Sequence, residues 1–315
     1  MYRGRFAPSP TGDLHLGSIA TALCAWLDAR SQSGKLVLRI EDIDTARVIP
    51  GAARQMVDDL KWLGFDWDEG PDIGGDFGPY VQSERLQIYD RAVSHLMKNG
   101  LVYPCDCSRA EIGRAASAPH AGEEGPVYPG TCRQQRKEHF RRSPSLRFVV
   151  PHRVITVHDG LQGDFRQNLA DDCGDFVVRR GDGVFAYQLA VVVDDIQMGI
   201  SHVVRGADLL SSAPRQVCLI EAFGAPTPRY FHAPLIVNPD GTRLAKRARG
   251  VSIRHYREAG VDAAKLVACL AQALGLTREP SICAQELVDS FSWDKVKRGP
   301  IPLDTEAILH GLTRL

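Results

Sequence analysis

The chain lacks a net charge and a long apolar run. It carries 38 lysines and arginines against 38 aspartates and glutamates, so a nucleic-acid partner would need a local basic patch. It contains no run of about 18 apolar residues, which predicts no membrane span. The N-terminus has no basic segment followed by an apolar one, so no secretory signal is expected. These absences predict a cytoplasmic protein that does not bind membranes.

The sequence also lacks a regular cysteine pattern. Its eight cysteines lie at irregular positions, and in a chain without a secretory signal we expect them to stay reduced. Cys24, Cys218 and Cys269 fall within apolar helical patterns and are predicted to be small core residues. With 315 residues, 44% of them hydrophobic, the chain is long enough for one large domain or for two to three small ones.

The most informative segment is Arg5 to Ser18, which reads RFAPSPTGDLHLGS. A short strand around Tyr2 to Phe6 runs into prolines and a glycine, and a helix is predicted to begin near His15. Free backbone N–H groups and the dipole at a helix N-terminus attract phosphate. The imidazole of His15 can donate to a phosphate, and Gly17 lets a flat ring approach the backbone.

This segment resembles the "HIGH" signature of class I aminoacyl-tRNA synthetases, in the form found in glutamyl- and glutaminyl-tRNA synthetases. The alternative is an ordinary strand–turn–helix with a chance His-x-Gly, which the length of the matching segment disfavours. The resemblance implies an ATP site in which His15 and Gly17 bind the nucleotide and His15 is catalytic.

Alternating strands and helices predict a doubly wound α/β sheet. The predicted elements are a strand at Leu36–Ile40, helices at Gly51–Gly64 and Glu84–Asn99, a hairpin over residues 176–187, a resumed sheet at Leu189–Val193, a helix at Arg215–Phe223, a last strand at Pro234–Val237, and mostly helix over residues 251–315.

Four parts are predicted along the chain. Residues 1–104 and 176–237 form the two halves of a Rossmann-type catalytic domain. Residues 105–175 contain stretches rich in Pro, Gly and Ser and are predicted to be an inserted subdomain, which the resemblance implies to be of the acceptor type. Residues 238–315 carry a basic loop and a small helical module, which the resemblance implies to contact a tRNA stem. The resulting class is α/β, with a class I synthetase parallel sheet, an inserted zinc-bearing subdomain and a C-terminal helical module.

The basic loop carries a second signature. Arg243–Arg247 reads RLAKR and resembles the "KMSKS" motif of the same family. The resemblance implies that Arg243 and Lys246 bind ATP and that Lys246 stabilises the charge on the departing pyrophosphate. Arg243 stands where the family has lysine, and Ala245 replaces a serine, so a slower ATP step is expected. A solvated basic loop is the alternative.

The resemblance continues through Phe185–Asp195 and Ser201–Asp208 and implies a glutamate pocket. Arginine forks suit carboxylates. By resemblance, Arg5 takes the side-chain carboxylate and Glu41 pairs with the α-ammonium. The implied glutamate-binding residues are Arg5, Ser9, Glu41, Tyr187 and Arg205.

Other readings of these residues stay open. Glu41 and Arg205 could instead form an ion pair within the sheet. Asp195 and Asp208 are weaker candidates, since each could orient Arg205 or cap a helix.

Three cysteines in the predicted insertion, Cys105, Cys107 and Cys132, suggest a structural Zn²⁺ that would supply folding energy to a segment with little apolar content. His120 and His139 are candidates for a fourth ligand. The insertion resembles the zinc-bearing subdomain of bacterial glutamyl enzymes, and the Cys-x-Cys…Tyr-x3-Cys arrangement of the shortened members implies Tyr128 as that ligand. Three free thiols are the alternative.

A basic cluster beside the cysteines could meet a phosphate backbone or could be a solvated face. Its members are Arg133, Arg136, Lys137, Arg141, Arg142 and Arg147.

Only 55 residues follow Gly260, whereas glutamyl-tRNA synthetases continue into a large helical anticodon-binding domain. The chain therefore resembles the shortened members of the family. That resemblance implies a monomer that activates L-glutamate with ATP and Mg²⁺ without tRNA. It then implies transfer of the glutamate to queuosine in the anticodon of tRNA(Asp).

Two other functions remain open on the sequence. One is a glutamyl-tRNA synthetase fragment that charges the 3′ end of tRNA(Glu). The other is a non-catalytic nucleotide- or tRNA-binding paralogue, which the altered Arg243 and Ala245 favour.

Overall fold

The computed structural model describes residues 1–108, 110–112, 127–135, 139–244 and 252–309. Its strands are β1 Arg3–Phe6, β2 Lys35–Leu38, β3 Val102–Cys105, β4 Ser145–Phe148, β5 Val154–Asp159, β6 Gly163–Asn168, β7 Phe176–Arg179, β8 His202–Gly206, β9 Arg229–Ala233, β10 Ile236–Val237 and β11 Ile301–Pro302. Its α-helices are α1 Leu16–Ser31, α2 Ala52–Trp62, α3 Leu86–Lys98, α4 Leu169–Asp172, α5 Tyr187–Gln197, α6 Ala213–Ala222, α7 Ile253–Glu258, α8 Ala263–Leu274 and α9 Thr305–Leu309. Short 3-10 helices cover Thr45–Arg47, Gln82–Glu84, Ala207–Ser212, Ala284–Ser290 and Trp293–Lys295.

A six-stranded sheet organises the molecule, in the order β2-β1-β8-β9-β5-β6. Every neighbouring pair is parallel except β5 with β6. The carboxyl ends of parallel strands share one edge, and open α/β sheets bind ligands in the crevice there. The predicted α/β class with a mainly parallel sheet is confirmed.

The three cysteines predicted as core residues lie in helices and are buried. Cys24 in α1, Cys218 in α6 and Cys269 in α8 are all buried. Helix α1 follows β1 across a proline-containing loop, and eleven of its sixteen residues are buried. Because α1 is enclosed on most sides, its first turn is held in a fixed position.

The predicted return of the sheet at Leu189–Val193 is wrong, because these residues lie in helix α5. All five are buried, as is Asp194 behind them. A short, continuous apolar run fits either a buried strand or a buried helix, and periodicity cannot separate the two.

Strands β5 and β6 differ from their predicted place. They fall within residues 105–175, yet β5 pairs with β9 and so belongs to the main sheet. A separate three-stranded sheet, β3-β4-β7, is formed by β4 from within that stretch and by β3 and β7, which border it. Strand order is a long-range property, so composition alone could not separate these two groups of strands.

The C-terminal helices pack on α1. Leu266, Val267, Leu270 and Leu274 of α8 are buried in the same apolar cluster as α1, as their spacing predicts. The indole N–H of Trp293 donates to Asp28 Oδ1 at 2.9 Å. Strand β11 was not predicted; it pairs with β10. The described C-terminal residues thus share one core with α1, β1 and β2.

Among the described residues, no helix is both long enough and apolar enough to cross a bilayer.

Candidate active site

His15 forms the N-cap of α1. Its Nδ1 accepts the backbone N–H of Ser18 at 3.2 Å, and its Nε2 lies 3.2 Å from the Ser18 hydroxyl. A ring whose Nδ1 accepts carries its proton on Nε2. A Cβ added at Gly17 would lie 3.2 Å from this ring, so glycine lets the imidazole lie against the first turn. The predicted phosphate-binding turn therefore has a fixed imidazole at its centre.

The segment around the second signature lies beside this turn. Arg243 forms an antiparallel bridge with Val237 at the end of β10. On the other side of the loop, Ser252 bridges His15, and the Ile253 N–H donates to the Leu14 carbonyl at 2.9 Å. Lys246 and Ala245 lie outside the described residues. The flank after the loop therefore contacts the start of α1, and the flank before it pairs with the end of β10.

Arg5 lies on β1 and is buried. Its Nη1 donates to the Val204 carbonyl at 2.9 Å, which ties it to the neighbouring strand β8. Its Nε is 3.6 Å from Asp195 Oδ1, and within the described residues it has no hydrogen-bond partner. Burial of a polar N–H without an acceptor is costly, so this guanidinium is suited to an incoming anion.

Arg39, which the sequence did not single out, lies between two carboxylates. It is fully buried, and it donates to Glu41 Oε1 at 2.9 Å and to Asp195 Oδ1 at 2.8 Å. Asp194 Oδ2 is 3.6 Å from its Nε. Asp195 also faces Arg5. Arg39 therefore links Arg5 and Glu41, the two residues predicted to hold opposite ends of glutamate.

Glu41 and Tyr187 share one electrostatic environment. Burial raises the pKa of Glu41, while Arg39 and Arg5 oppose the rise. Burial also raises the pKa of the Tyr187 phenol, on which Arg205, Glu41 and Arg5 act as nearby charges. The structure therefore brings together four of the five predicted glutamate-binding residues. Their assigned roles stay predictions.

Arg205, on β8, is held by three acceptors. Its Nε donates to His232 Nε2 at 2.9 Å, its Nη1 to Gln216 Oε1 at 2.6 Å, and its Nη2 to the Leu209 carbonyl at 3.2 Å. The carboxylates that the sequence suggested as partners of Arg205 make other contacts. Asp195 pairs with Arg39 and Arg5 instead, and Asp208 is exposed. Glu41 pairs with Arg39, so the considered ion pair of Glu41 with Arg205 is not the one formed.

An open cleft of about 680 Å³ leads away from Glu41 and Tyr187. Ser9, exposed and the fifth predicted residue, lines it together with Glu41 and Tyr187. At its far end the cleft reaches Cys107 and Arg147 in the three-stranded sheet region. Its size suits a ligand larger than an amino acid.

The three predicted metal-ligating thiols meet. The sulfur atoms of Cys105, Cys107 and Cys132 lie within 4.8 Å of one another, and Cys107 Sγ is 3.6 Å from Cys132 Sγ. Thiolates around a tetrahedral Zn²⁺ at about 2.3 Å would be separated by about 3.8 Å. The triad could therefore bind a metal ion with little movement.

Tyr128 lies beside the triad and is buried. Its Oη is 3.3 Å from Cys105 Sγ and 4.0 Å from Cys107 Sγ, and it accepts the Cys132 backbone N–H at 2.9 Å. Burial acts to raise the pKa of the Cys105 thiol, but hydrogen bonding and the Arg147 guanidinium outweigh it and lower the pKa. The donor set of three sulfurs and a phenol oxygen fits the predicted ligands. His139 is exposed and outside this group, and His120 lies outside the described residues.

The predicted basic cluster is largely neutralised. Arg147 is buried, with its guanidinium 3.8 Å from the centre of the Tyr128 ring, so it is not a solvated phosphate ligand. Arg141 contacts Asp106 and Glu111, and Arg142 contacts Glu111. Arg133 is 3.8 Å from Asp175, and Arg136 and Lys137 lie outside the described residues.

Sequence reasoning missed the residues that hold the predicted ones. The sequence did contain a signal for Arg39. It lies two positions before Glu41 in an extended segment, so the two side chains lie on the same face. His232 and Gln216 had none, because they reach Arg205 through strand pairing and helix packing distant in sequence.

Comparison with known proteins gives four findings. The family described as tRNA synthetases class I (E and Q), catalytic domain, matches residues 1–308. The chain is 50% identical to the Glutamyl-Q tRNA(Asp) synthetase of Symbiobacterium thermophilum, over 99% of this chain and 100% of that protein. It is 41% identical to Glutamate–tRNA ligase 2 of Acidithiobacillus ferrooxidans, over 98% of this chain and 65% of that one. A glutamate tRNA ligase from Elizabethkingia meningosepticum, solved in complex with its amino acid, superposes with a TM-score of 0.84 at 31% identity, covering 98% of this chain and 68% of that one.

Proposed function

Because the chain belongs to the class I tRNA synthetase family for glutamate and glutamine, we propose a two-step ligase that acts on glutamate. In the first step it activates glutamate with ATP and needs no tRNA. In the second it transfers the glutamate to queuosine in the anticodon of tRNA(Asp).

The observation that carries the proposal is the group of three buried charges, Arg5, Arg205 and Glu41, with the half-buried Tyr187 beside them at the carboxyl edge of the sheet. Two guanidinium groups suit the carboxylates of glutamate, and one carboxylate suits its ammonium. Arg5 takes the side-chain carboxylate, and Glu41 takes the ammonium. Ser9 lies where the pocket opens into the cleft.

Activation needs position and charge rather than a protein nucleophile. An oxygen of the glutamate α-carboxylate attacks the α-phosphorus of ATP, and pyrophosphate leaves. His15 and Gly17 hold the nucleotide at the start of α1, and Arg243 and Lys246 hold it from the facing loop. Lys246 balances the charge that develops on pyrophosphate, and Mg²⁺ bound with ATP would supply further positive charge there.

Transfer breaks the new acyl–phosphate bond. A hydroxyl oxygen of the modified base attacks the glutamyl carbonyl carbon, the hydroxyl proton is released, and AMP leaves. The open cleft beside Glu41 and Tyr187 offers room for a nucleoside. Residues 238–315 would contact the tRNA stem, with the protein acting as a monomer. The higher identity to the relative named Glutamyl-Q tRNA(Asp) synthetase, 50% against 41% for the one named Glutamate–tRNA ligase 2, favours this acceptor over tRNA(Glu).

A Zn²⁺ ion bound by Cys105, Cys107, Tyr128 and Cys132 would close the connection between β3 and β4. Three thiolates and a phenolate would leave no open coordination position, which is typical of a structural site. The ion would hold the wall of the cleft that Cys107 lines and would take no part in the chemistry.

The first step is tested by glutamate-dependent exchange of labelled pyrophosphate into ATP without tRNA. We expect exchange with glutamate and little with glutamine. No exchange under any condition would favour the non-catalytic paralogue, and exchange only after addition of tRNA would contradict the proposed independence from tRNA.

A further inference from the structure

Three strand ends are joined by a hydrogen-bonded chain that reaches Arg205. Asp159 ends β5, His232 lies in β9, and Arg205 lies opposite His232 in β8. His232 Nδ1 is 2.6 Å from Asp159 Oδ2, and the Arg205 Nε–H donates to His232 Nε2 at 2.9 Å. The side chains of the histidine and the aspartate are fully buried. Water therefore cannot substitute for either contact.

The chain of contacts fixes the position of the histidine proton. An arginine has only donors, so His232 Nε2 must accept, and the ring proton must lie on Nδ1. Asp159 Oδ2 accepts that proton. Its Oδ1 accepts the backbone N–H groups of Leu161 at 3.0 Å and Gln162 at 2.8 Å. These donors hold the carboxylate in one orientation.

We propose that Asp159 and His232 are positioning residues that hold Arg205 in place for glutamate by fixing the neutral Nδ1–H tautomer of His232. The inference rests on the proposed function, because it assumes that Arg205 contacts the substrate. With one Nε acceptor fixed, the guanidinium plane is set, and its remaining N–H groups point in one direction. A second arginine beside Arg5 is thereby kept ready for a carboxylate.

Asp159→Asn tests the tautomer. The N–H groups of Leu161 and Gln162 would keep the amide oxygen on their side and turn the amide nitrogen towards His232. Nδ1 would then have to accept, and its proton would move to Nε2, against the Nε–H of Arg205. We expect the dissociation constant for glutamate to rise by about tenfold or more, with the constant for ATP nearly unchanged.

Two substitutions of His232 separate positioning from mere stability. In His232→Gln the amide oxygen can still accept near the former Nε2 position, whereas in His232→Asn the amide nitrogen can reach only Asp159. Positioning predicts that the Gln variant keeps more glutamate affinity than the Asn variant. A purely structural role predicts the reverse order, because the Asn variant alone keeps the carboxylate paired.

The chain offers a matched control. His158 Nδ1 lies 2.7 Å from Asp164 Oδ1 in an exposed pair on neighbouring strands β5 and β6. Asp164→Asn and His158→Asn make the same chemical changes away from Arg205. Both should leave glutamate binding and thermal unfolding close to wild type.

The measurements are calorimetric titration of glutamate and of ATP into the full chain, thermal unfolding, and ¹⁵N shifts of the wild-type histidine rings. An Nδ1–H signal for His232 and a selective loss of glutamate binding in Asp159→Asn support the proposal. An Nε2–H tautomer in the wild type, or unchanged glutamate binding in a folded Asp159→Asn, would overturn it. If the wild type itself fails to bind glutamate, the proposed function fails, while the tautomer signal still reports whether His232 accepts from Arg205.

Discussion

Glu41 is a carboxylate whose charge depends on its neighbours. Arg39 and Arg5 favour ionisation, Asp195 disfavours it, and Tyr187 lies close enough to respond to it. Burial has the largest effect and raises the pKa above the ordinary 4.5. A carboxylate that must be ionised to bind an ammonium group therefore loses that ability at a higher pH than an exposed glutamate would.

We predict that glutamate affinity falls as pH is lowered through the raised pKa of Glu41. Glu41→Gln should weaken glutamate binding at pH 7 by about tenfold to a hundredfold, because one charge-assisted contact is lost. It should also remove the contribution of Glu41 to the pH dependence. Calorimetric titrations across the acid range measure both effects, and Glu258→Gln, on an exposed position of α7, is the control.

The same pKa gives a sign for stability. A carboxyl group whose pKa is raised on folding binds protons more readily in the folded state. Its contribution to stability is therefore present below the unfolded pKa and lost as pH rises through the folded pKa. Wild type should lose stability relative to Glu41→Gln over that range. In the binding experiment, a Glu41→Gln variant that binds glutamate as tightly as wild type would contradict the role of Glu41 as the ligand of the ammonium group.

The glutamate-binding candidates and their supports differ in how far the sequence could reveal them. Arg5 and Glu41 follow from motifs at the ends of predicted strands, and the structure places them in one buried group. His232 and Asp159 could not be predicted, because their contact depends on β9 lying between β8 and β5. The sequence around a single histidine does not show which strand will lie beside it.

Among the elements, strands and helices with clear signals were easier to predict than the pairing between them. Strand β1 and helix α1 occur where the proline-containing turn indicates. Helix α5 was misread because its apolar run has no period that excludes a strand. Residues 105–175, which include β5 and β6, were predicted to be the insertion, since composition does not show that β5 pairs with β9 and β6 with β5.

The connection between β3 and β4 should depend on its metal. We predict one zinc per chain. Tyr128→Phe should keep the three thiolates but bind zinc at least about tenfold more weakly, because a buried ligand oxygen is lost. Zinc content after competition with a chelator measures the difference.

Tyr103→Phe is the matched control, since the Tyr103 hydroxyl donates to Asp175 at 2.7 Å rather than joining the thiols. Removal of zinc from wild type should loosen this connection and leave glutamate binding at the sheet edge largely intact. Equal zinc retention in both variants would rule out Tyr128 as a ligand. Absence of zinc from the wild type would remove the metal site altogether.

Across the whole molecule, one cleft connects two regions of different character. At one end lie the buried charges around Glu41 and Tyr187, and at the other lies the cysteine cluster with Arg147. The residues after the loop of the second signature contact the start of α1, and Arg243 before it pairs with the end of β10. This arrangement favours a reaction in which a small substrate is activated at the sheet edge and a larger acceptor enters through the cleft.

The decisive measurement is transfer of radiolabelled glutamate to tRNA, followed on acid gels. The substrates are tRNA(Asp) with queuosine, tRNA(Asp) without it, and tRNA(Glu). We predict label on queuosine-containing tRNA(Asp) and on neither of the other two. Label on tRNA(Glu) alone would contradict the proposed acceptor and assign the protein to conventional charging.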